Sequence, residues 1–305
     1  MTPIEKQQTS QAAMTVEVIA ATHFAPTQNV VTLVATYPRI IHSELMTQTL
    51  LAKNAASSRA VPIATMIEKV RNRTFVPWHW KSNKRGMSGG EPLGEEAAAA
   101  CRLRWIADAE HACASAEFYA KQGLLKGLAN RPLEPYSFIQ TLVTTRLEYL
   151  PHFLSLRDHP AAEDHFHDLA ALIREKVKDL VLKTSGDHLP FVSAEEAARY
   201  PSREAAMVSA VRCRRVSYFR LDTKDHPVWA DDYEQAKQMV AERPMHASPF
   251  EHQALRYPGG VLPHFMGRLA LPTEHNALAN FMQFRKMIPG EFLAPSQNWR
   301  DSIWG

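Results

Sequence analysis

The alternation of apolar and polar residues in MTVEVIAATHF (14–24) and the β-branched run NVVTLVATYP (29–38) predict two strands, the second closed by Pro38. From Arg39 the pattern predicts a helix through IIHSELMTQTLLAKN, then a short one after Pro62 within 57–73. FVPWHWKSNKRGMSGGEPLG (75–94) reads as a loop. Residues 95–129 give the clearest helix, with Leu103, Ile106, Ala109, Cys113, Ala116 and Ala120 at steps of three and four, broken by NRPLEPYSF. No period types residues 137–150. A helix over 161–182 shows Phe166, Leu169, Ile173, Val177 and Leu180 on one face. Ser193 with Glu196 forms a capping-box pattern, and RCRRVSYFRL precedes an acidic helix, ADDYEQAKQMVAE. NFMQFRKMIPGEF (280–292) places Phe281, Phe284 and Ile288 at helical spacing. Helices outnumber strands without regular alternation, so α+β is favoured over a doubly wound sheet. Residues 1–13 are polar and expected to be a disordered tail. Residues 14–305 form one domain, with 184–202 the candidate internal boundary.

Composition narrows the classes. The chain has 305 residues, 45% hydrophobic and 22% charged, enough to bury a sizeable core. A formal charge of +3 is too mild to argue for nucleic acid or a membrane surface. Cys101, Cys113 and Cys213 form no CxxC, which argues against a disulfide framework and fits a reducing compartment. No apolar run has membrane-spanning length and no signal segment precedes the first strand, so a cytoplasmic protein is expected.

Walker A, GxGxxG, GxSxG and HExxH are absent. EDHFHDL (163–169) offers metal-type side chains, but an amphipathic helix with a charged outer face accounts for them, and no metal site is assigned. Trp78, Trp80, Lys81, Lys84 and Arg85 could stack bases, yet no second basic stripe accompanies them. Three arginine-bearing stretches remain. KNAASSRAVP (53–62) puts Asn54, Ser57, Ser58 and Arg59 between two predicted helices, where hydroxyls, free N–H groups and a guanidinium suit a phosphate and serines equally suit helix capping. NRPLEP (130–135) sets Arg131 after the long helix, where a cation also suits the helix dipole. FLSLRDH (153–159) sets Arg157 by an apolar run, beside the acidic Asp158. Near the C-terminus, RPMHASPFEH (243–252) packs ionisable groups around Pro249 and Phe250, as a ligand loop or as a loop leading into a strand.

Together these stretches resemble the flavin-dependent thymidylate synthases. The family signature, Arg-His-Arg-x-x-Ser-x-Asn-Glu-x-Ser-x-Arg-Tyr, aligns with TQTLLAKNAASSRA (47–60), matching at Asn54, Ser57 and Arg59. HASPFEH resembles the family's His-x-Thr-Pro-Phe-Glu-His loop, with Ser248 for threonine, and RRVSY (214–218) resembles the Ala-Arg-Val-Ser-Phe element that precedes that loop. Arg131 with Pro135, and Arg157 within FLSLR, resemble later arginine positions. In the family the loop elements precede the signature. Here they follow it, so the resemblance implies a thymidylate synthase-like fold, a mixed sheet with a helical bundle, whose elements are circularly permuted.

The resemblance implies a reductive methylation of dUMP to dTMP at uracil C5, with FAD as cofactor and methylene-tetrahydrofolate and NADPH as co-substrates, in a homotetramer. It implies Ser57, Ser58, Arg59 and Arg131 at the nucleotide phosphate, and Glu44 where a glutamine ordinarily contacts the nucleotide. It places Arg157 at the uracil ring, with Arg157 and Ser57 as the catalytic pair. It implies Gln48, Asn54, Ser217, His246, Ser248 and Glu251 around the flavin. An arginine there stabilises charge as C5 attacks the one-carbon unit. The chain departs from the signature at Thr47, Gln48 and Thr49 for Arg-His-Arg, and at Ala52, Ala55 and Ala60. Each lost charged contact to a diphosphate costs about 1.5–3 kcal/mol. Two other readings fit the same residues: a divergent pyrimidine-nucleotide C5 hydroxymethyl or one-carbon transferase, and a non-catalytic nucleotide-binding relative.

Overall fold

Two long central strands organise the protein. In a computed structural model describing residues 1–25, 28–182, 186–218, 228–242, 247–255 and 282–288, β1 (Thr15–Ala25) and β2 (Gln28–Pro38) form an antiparallel hairpin. Residues 137–150, which no period could type, supply β4 (Phe138–Arg146), antiparallel to β2 with Val34 opposite Leu142. β3 (Ala52–Ala55) pairs antiparallel with the far side of β4, so the order is β1-β2-β4-β3. Every described strand pair is antiparallel, in place of the expected mixed sheet. The class is α+β as expected.

Both faces of the sheet are covered, so β2 and β4 lack the simple in–out alternation of an edge strand. On one face Leu33, Tyr37, Ile139 and Val143 meet Leu45 of α2 (His42–Met46), Phe153 of α6 (Leu150–Arg157), and Phe166, Leu169 and Ile173 of α7 (Asp164–Val177). On the other, Val34 and Leu142 meet Cys213 of α9 (Ser202–Arg214) and Val216 beyond it. The helices pack as pairs, not as the expected bundle: α3 (Ile63–Asn72) on α4 (Glu95–Lys121), α6 on α7, α9 on α10 (Trp229–Ala241).

Several local expectations change. Residues 3–12, expected to be loose, form α1 (Pro3–Ala12). Thr2 and Glu5 close a capping box with Pro3 in the first turn. The helix expected from Arg39 through Asn54 is only a 3-10 turn, Arg39–Ile41, followed by α2. Thr47 ends it by turning its hydroxyl onto the Glu44 carbonyl, and pairing with β4 draws Ala52–Ala55 into a strand. The 95–129 helix stops at Lys121 and resumes as α5 (Lys126–Ala129). Cys113 is buried but Cys101 is exposed, because twelve residues turn it about 120° around the helix. The Ser193–Glu196 capping box opens α8 (Ala194–Arg199) as expected. Residues 282–288 form β6 (Met282–Gln283) and a 3-10 turn, not an amphipathic helix; Phe284 and Ile288 are core and Phe281 lies outside the described residues.

The later part of the chain is fastened to the sheet by a polar chain. His188 hydrogen-bonds Thr22 (2.9 Å) and Thr32 (2.7 Å), Thr32 bonds Thr144 (2.7 Å), and Thr144 bonds His252 (2.9 Å). Both histidines are fully buried. The turn after His188 bends at Phe191, whose φ of 62° is rare for a side-chain-bearing residue. Ser209 and Arg212 of α9 hold it by donating to the Pro190 and Phe191 carbonyls.

Burial pushes both imidazoles down to about 3, with His188 adding to the effect at His252. The unfolded chain takes up these protons near 6.5 and the folded one does not until about 3. This stability is therefore complete above about pH 6.5 and lost as pH falls through that window, at about 1.4 kcal/mol per pH unit for each histidine. Urea titrations at several pH values should show His252→Gln less stable at neutral pH but with a shallower decline on acidification. Parallel declines would contradict the assignment.

Candidate functional site

Three polar groups carry the expected site residues, and the first and third meet at Ser57. The first forms where the chain leaves β3. Ala56 continues the pairing by donating to the Gln140 carbonyl, and Ser57–Arg59 then turn away. The buried Asn130 amide pins this turn, donating to the Ser58 (2.7 Å) and Val61 (3.1 Å) carbonyls. Ser58 is buried and its hydroxyl donates to Glu134 (2.6 Å). Helix capping, the competing explanation for these serines, does not occur, since α3 has no side-chain cap. Arg131 donates to both Glu134 oxygens (3.0 and 3.1 Å), and Arg39 pairs with the same carboxylate at 3.0 Å. Arg59 is exposed and lies against Gly127, where a Cβ would come within 3.3 Å of its Cγ. His42 sits nearby, bonded to the Tyr37 hydroxyl (2.8 Å), which also bonds Thr141 (2.7 Å). Burial, then Arg39, pushes His42 down to about 4, so it stays neutral near pH 7.

The second group joins α2 to the end of α6. Arg157 does not pair with Asp158, which is taken by Arg174 and His167. Its guanidinium reaches Glu44 at 3.6 Å and lies 5.0 Å from the centroid of the Phe166 ring. That separation is an ion pair but too long for a hydrogen bond. The buried Arg157 Nε has no partner among the described residues. Buried N–H groups are rarely left unsatisfied, so this one marks a place for an acceptor. The Glu44 carboxyl is raised above its ordinary range by burial and by Glu163, against the pull of Arg157.

The third group unites distant parts of the sequence. The buried Asn54 amide donates to the Cys213 carbonyl (3.4 Å) and accepts from the Ser217 hydroxyl (3.3 Å). The Ser57 N–H donates to the Ser217 carbonyl (3.2 Å). Gln48 stands apart, its amide on Thr47 and the Glu44 carbonyl. Ser248 opens a 3-10 turn, Ser248–Glu251, that buries Pro249 and Phe250, and Glu251 pairs with Arg285. HASPFEH is thus both a polar turn and the lead into β5 (Ala254–Leu255). Its first histidine, His246, lies outside the described residues.

Elsewhere the candidates are held structurally. Trp78 and His79 both bond Asp168 (2.7 Å each), Lys81 pairs with Asp164 (2.5 Å), Glu163 holds His165 (2.7 Å), and Trp80 bonds Gln7 (3.1 Å). Those contacts fix the aromatic loop to α7 and α1. A cleft of about 550 Å³ between the sheet and α3 is lined by Glu17, Thr36, Met66, Arg73 and Gln140 among others, and contains none of the expected site residues. Sequence reading missed Glu134 and Arg39, although both stand inside quoted stretches, and missed His188, which carries no motif.

The fold is that of an α+β protein with an antiparallel sheet covered on both faces, and no helix among the described residues is long and apolar enough to cross a membrane. No protein-family model and no curated protein matches the chain. Among solved structures it is similar to a UMP/dUMP methylase, PolB from Streptomyces cacaoi. With 5-Br UMP bound, that structure is 16% identical over 53% of this chain and 87% of that one, with a TM-score of 0.44. With 5-Br dUMP bound it is 16% identical over 57% and 72%, with a TM-score of 0.38.

The raised Glu44 carboxyl has a sign that can be checked. Its ionised form weighs against the folded state, by an amount that grows as pH rises through the carboxylate range and is then constant. Glu44→Gln should therefore raise Tm at about pH 7, with the gain disappearing below about pH 4. A lower Tm at neutral pH would mean that the Arg157 pair outweighs burial.

Proposed function

We propose that this protein binds a pyrimidine nucleoside monophosphate and transfers a one-carbon unit to C5 of its base, as a flavin-dependent thymidylate synthase-like enzyme acting on dUMP. The observation that carries this reading is the meeting of Asn54, Ser57 and Ser217. They come from two stretches that resemble neighbouring elements of one family, and they join here although 163 positions separate Asn54 from Ser217. A permuted chain order accounts for that meeting.

In this reading Ser57, Ser58, Arg59 and Arg131 hold the phosphate, and Arg157 and Glu44 meet the uracil edge. Arg157 is suited to its role because its buried Nε has no acceptor among the described residues and its guanidinium lies over the Phe166 ring. A guanidinium beside N3 and O4 stabilises negative charge there as C5 becomes nucleophilic. Glu44, when protonated, offers one donor and one acceptor, as a glutamine amide does. No cysteine nucleophile is assigned: Cys101 is exposed on α4, and burial pushes the Cys113 and Cys213 thiols up.

For FAD, Asn54, Ser217, Ser248 and Glu251 stay near the ring in this reading, although the Asn54 amide is already engaged by Cys213 and Ser217, and the neutral Thr47, Gln48 and Thr49 give a diphosphate no guanidinium. FAD, when bound, would supply the reducing hydride. Methylene-tetrahydrofolate and NADPH as co-substrates, and a homotetrameric assembly, belong to the same proposal. Glu44 in place of glutamine favours one alternative, a C5 transferase with a different product.

Tritium release from C5-labelled dUMP tests this. With methylene-tetrahydrofolate, NADPH and FAD present, the protein should release tritium, and omission of FAD should abolish release. Arg157→Ala should slow it at least about 100-fold, the scale of losing one charge-stabilising donor. Chromatography of the nucleotide product separates methylation from hydroxymethylation. No release by the wild-type protein under any of these conditions would refute the proposal.

A further inference from the structure

The phosphate corner already contains an anion. Ser58, Arg39 and Arg131 reach it from three segments, the turn after β3, the turn after β2 and the 3-10 turn Arg131–Tyr136, and all three place a donor on the Glu134 carboxylate. A hydroxyl with two guanidiniums is a donor set that serves a phosphate as well as a carboxylate. The Glu134 side chain is only 19% exposed and Arg39 15%, whereas Arg131 is 54% exposed and lines the open side.

A structural staple is the plainer explanation, and one detail argues against it. The Ser58 turn is already fixed by Asn130 through two carbonyls, so the Ser58 hydroxyl is not needed to hold it. A dianion entering beside an ionised carboxylate meets like-charge repulsion at short range, in a partly desolvated corner where it is poorly screened. It would also find its three donors engaged.

We propose that Glu134 is an internal stand-in for the substrate's phosphate and the specificity-determining residue of this corner: it holds Ser58, Arg39 and Arg131 in place when no ligand is bound, and a phosphomonoester binds only by displacing it. The inference rests on the nucleotide reading of this site, in which Ser58 and Arg131 hold phosphate. It adds that the pocket's own carboxylate competes with every anion and so sets a threshold that only a dianion surrounded by several donors passes.

The test measures thermal melting and calorimetric binding of the full chain, wild type and Glu134→Gln, with inorganic phosphate, dUMP and deoxyuridine. Glu134→Gln should melt lower without ligand, because Arg39 and Arg131 lose their counter-ion. It should bind phosphate and dUMP at least about tenfold more tightly than wild type, and deoxyuridine equally. Phosphate should raise its Tm by more than it raises that of wild type. If Glu134→Gln does not fold, Glu134→Asp reads the same effect at smaller size, since it withdraws the charge by one methylene. A variant that melts lower but binds dUMP no more tightly than a dUMP-binding wild type makes Glu134 a staple, and the inference fails while the nucleotide reading stands. Tighter phosphate binding with no dUMP binding in either protein upholds the stand-in role and removes the nucleotide reading. No binding of phosphate or dUMP by either protein overturns both.

Discussion

The hydrogen-bonded chain from His188 through Thr32 and Thr144 to His252 is the constraint on which the rest depends. It requires threonines at the centre of β2 and β4, where both faces are covered and valine would otherwise serve. It requires both imidazoles to stay neutral, since an unpaired buried charge is costly. In return it fixes the segment after His188 and the Ser248–Glu251 turn against one face of the sheet. That docking sets α9 over Val34 and Leu142 and brings Ser217 to Asn54. The contact between Asn54, Ser57 and Ser217 is thus a consequence of how the segment from His188 to His252 attaches.

Around that attachment the polar groups divide by how completely they satisfy one another. Asn54 and Ser217 are bonded together, Ser58 and two arginines converge on Glu134, and the buried Arg157 Nε has no acceptor among the described residues. An arrangement built only for stability would pair Arg157 with its neighbour Asp158. Instead Asp158 serves α7 through Arg174 and His167, and Arg157 turns to Glu44 and the Phe166 ring.

What the sequence made legible follows from locality. β1, β2, α7 and the Ser193 cap have short-range patterns, and each stands about where its pattern puts it. β4 was illegible because Thr141, Thr144 and Thr145 fill buried positions, so FIQTLVTTR shows neither alternation nor the continuous apolar run that marks β2. β3 was illegible because four residues, AKNA, become a strand only through β4, more than eighty positions away. α1 is polar along most of its length and shows no apolar period, so only its Thr2–Glu5 box and Pro3 mark it as a helix. The resemblance pointed to Asn54, Ser57 and Ser217, which the fold joins, but said nothing of Glu134, on which Ser58, Arg39 and Arg131 converge. His188 had no signal at all, because a buried histidine on paired threonines is defined only by the folded sheet.

The central claim is that a pyrimidine nucleotide lies with its phosphate at the Ser57–Arg59 turn and its base at Arg157. A crystal structure of the protein with a 5-halogenated dUMP tests it most directly, because the halogen locates C5 without ambiguity. The account predicts phosphate oxygens within hydrogen-bond reach of Ser58 and Arg131, and the uracil edge on Arg157 and Glu44. A nucleotide seated elsewhere, as in the cleft between the sheet and α3, with Glu134 still holding its three donors and Arg157 untouched, would contradict it.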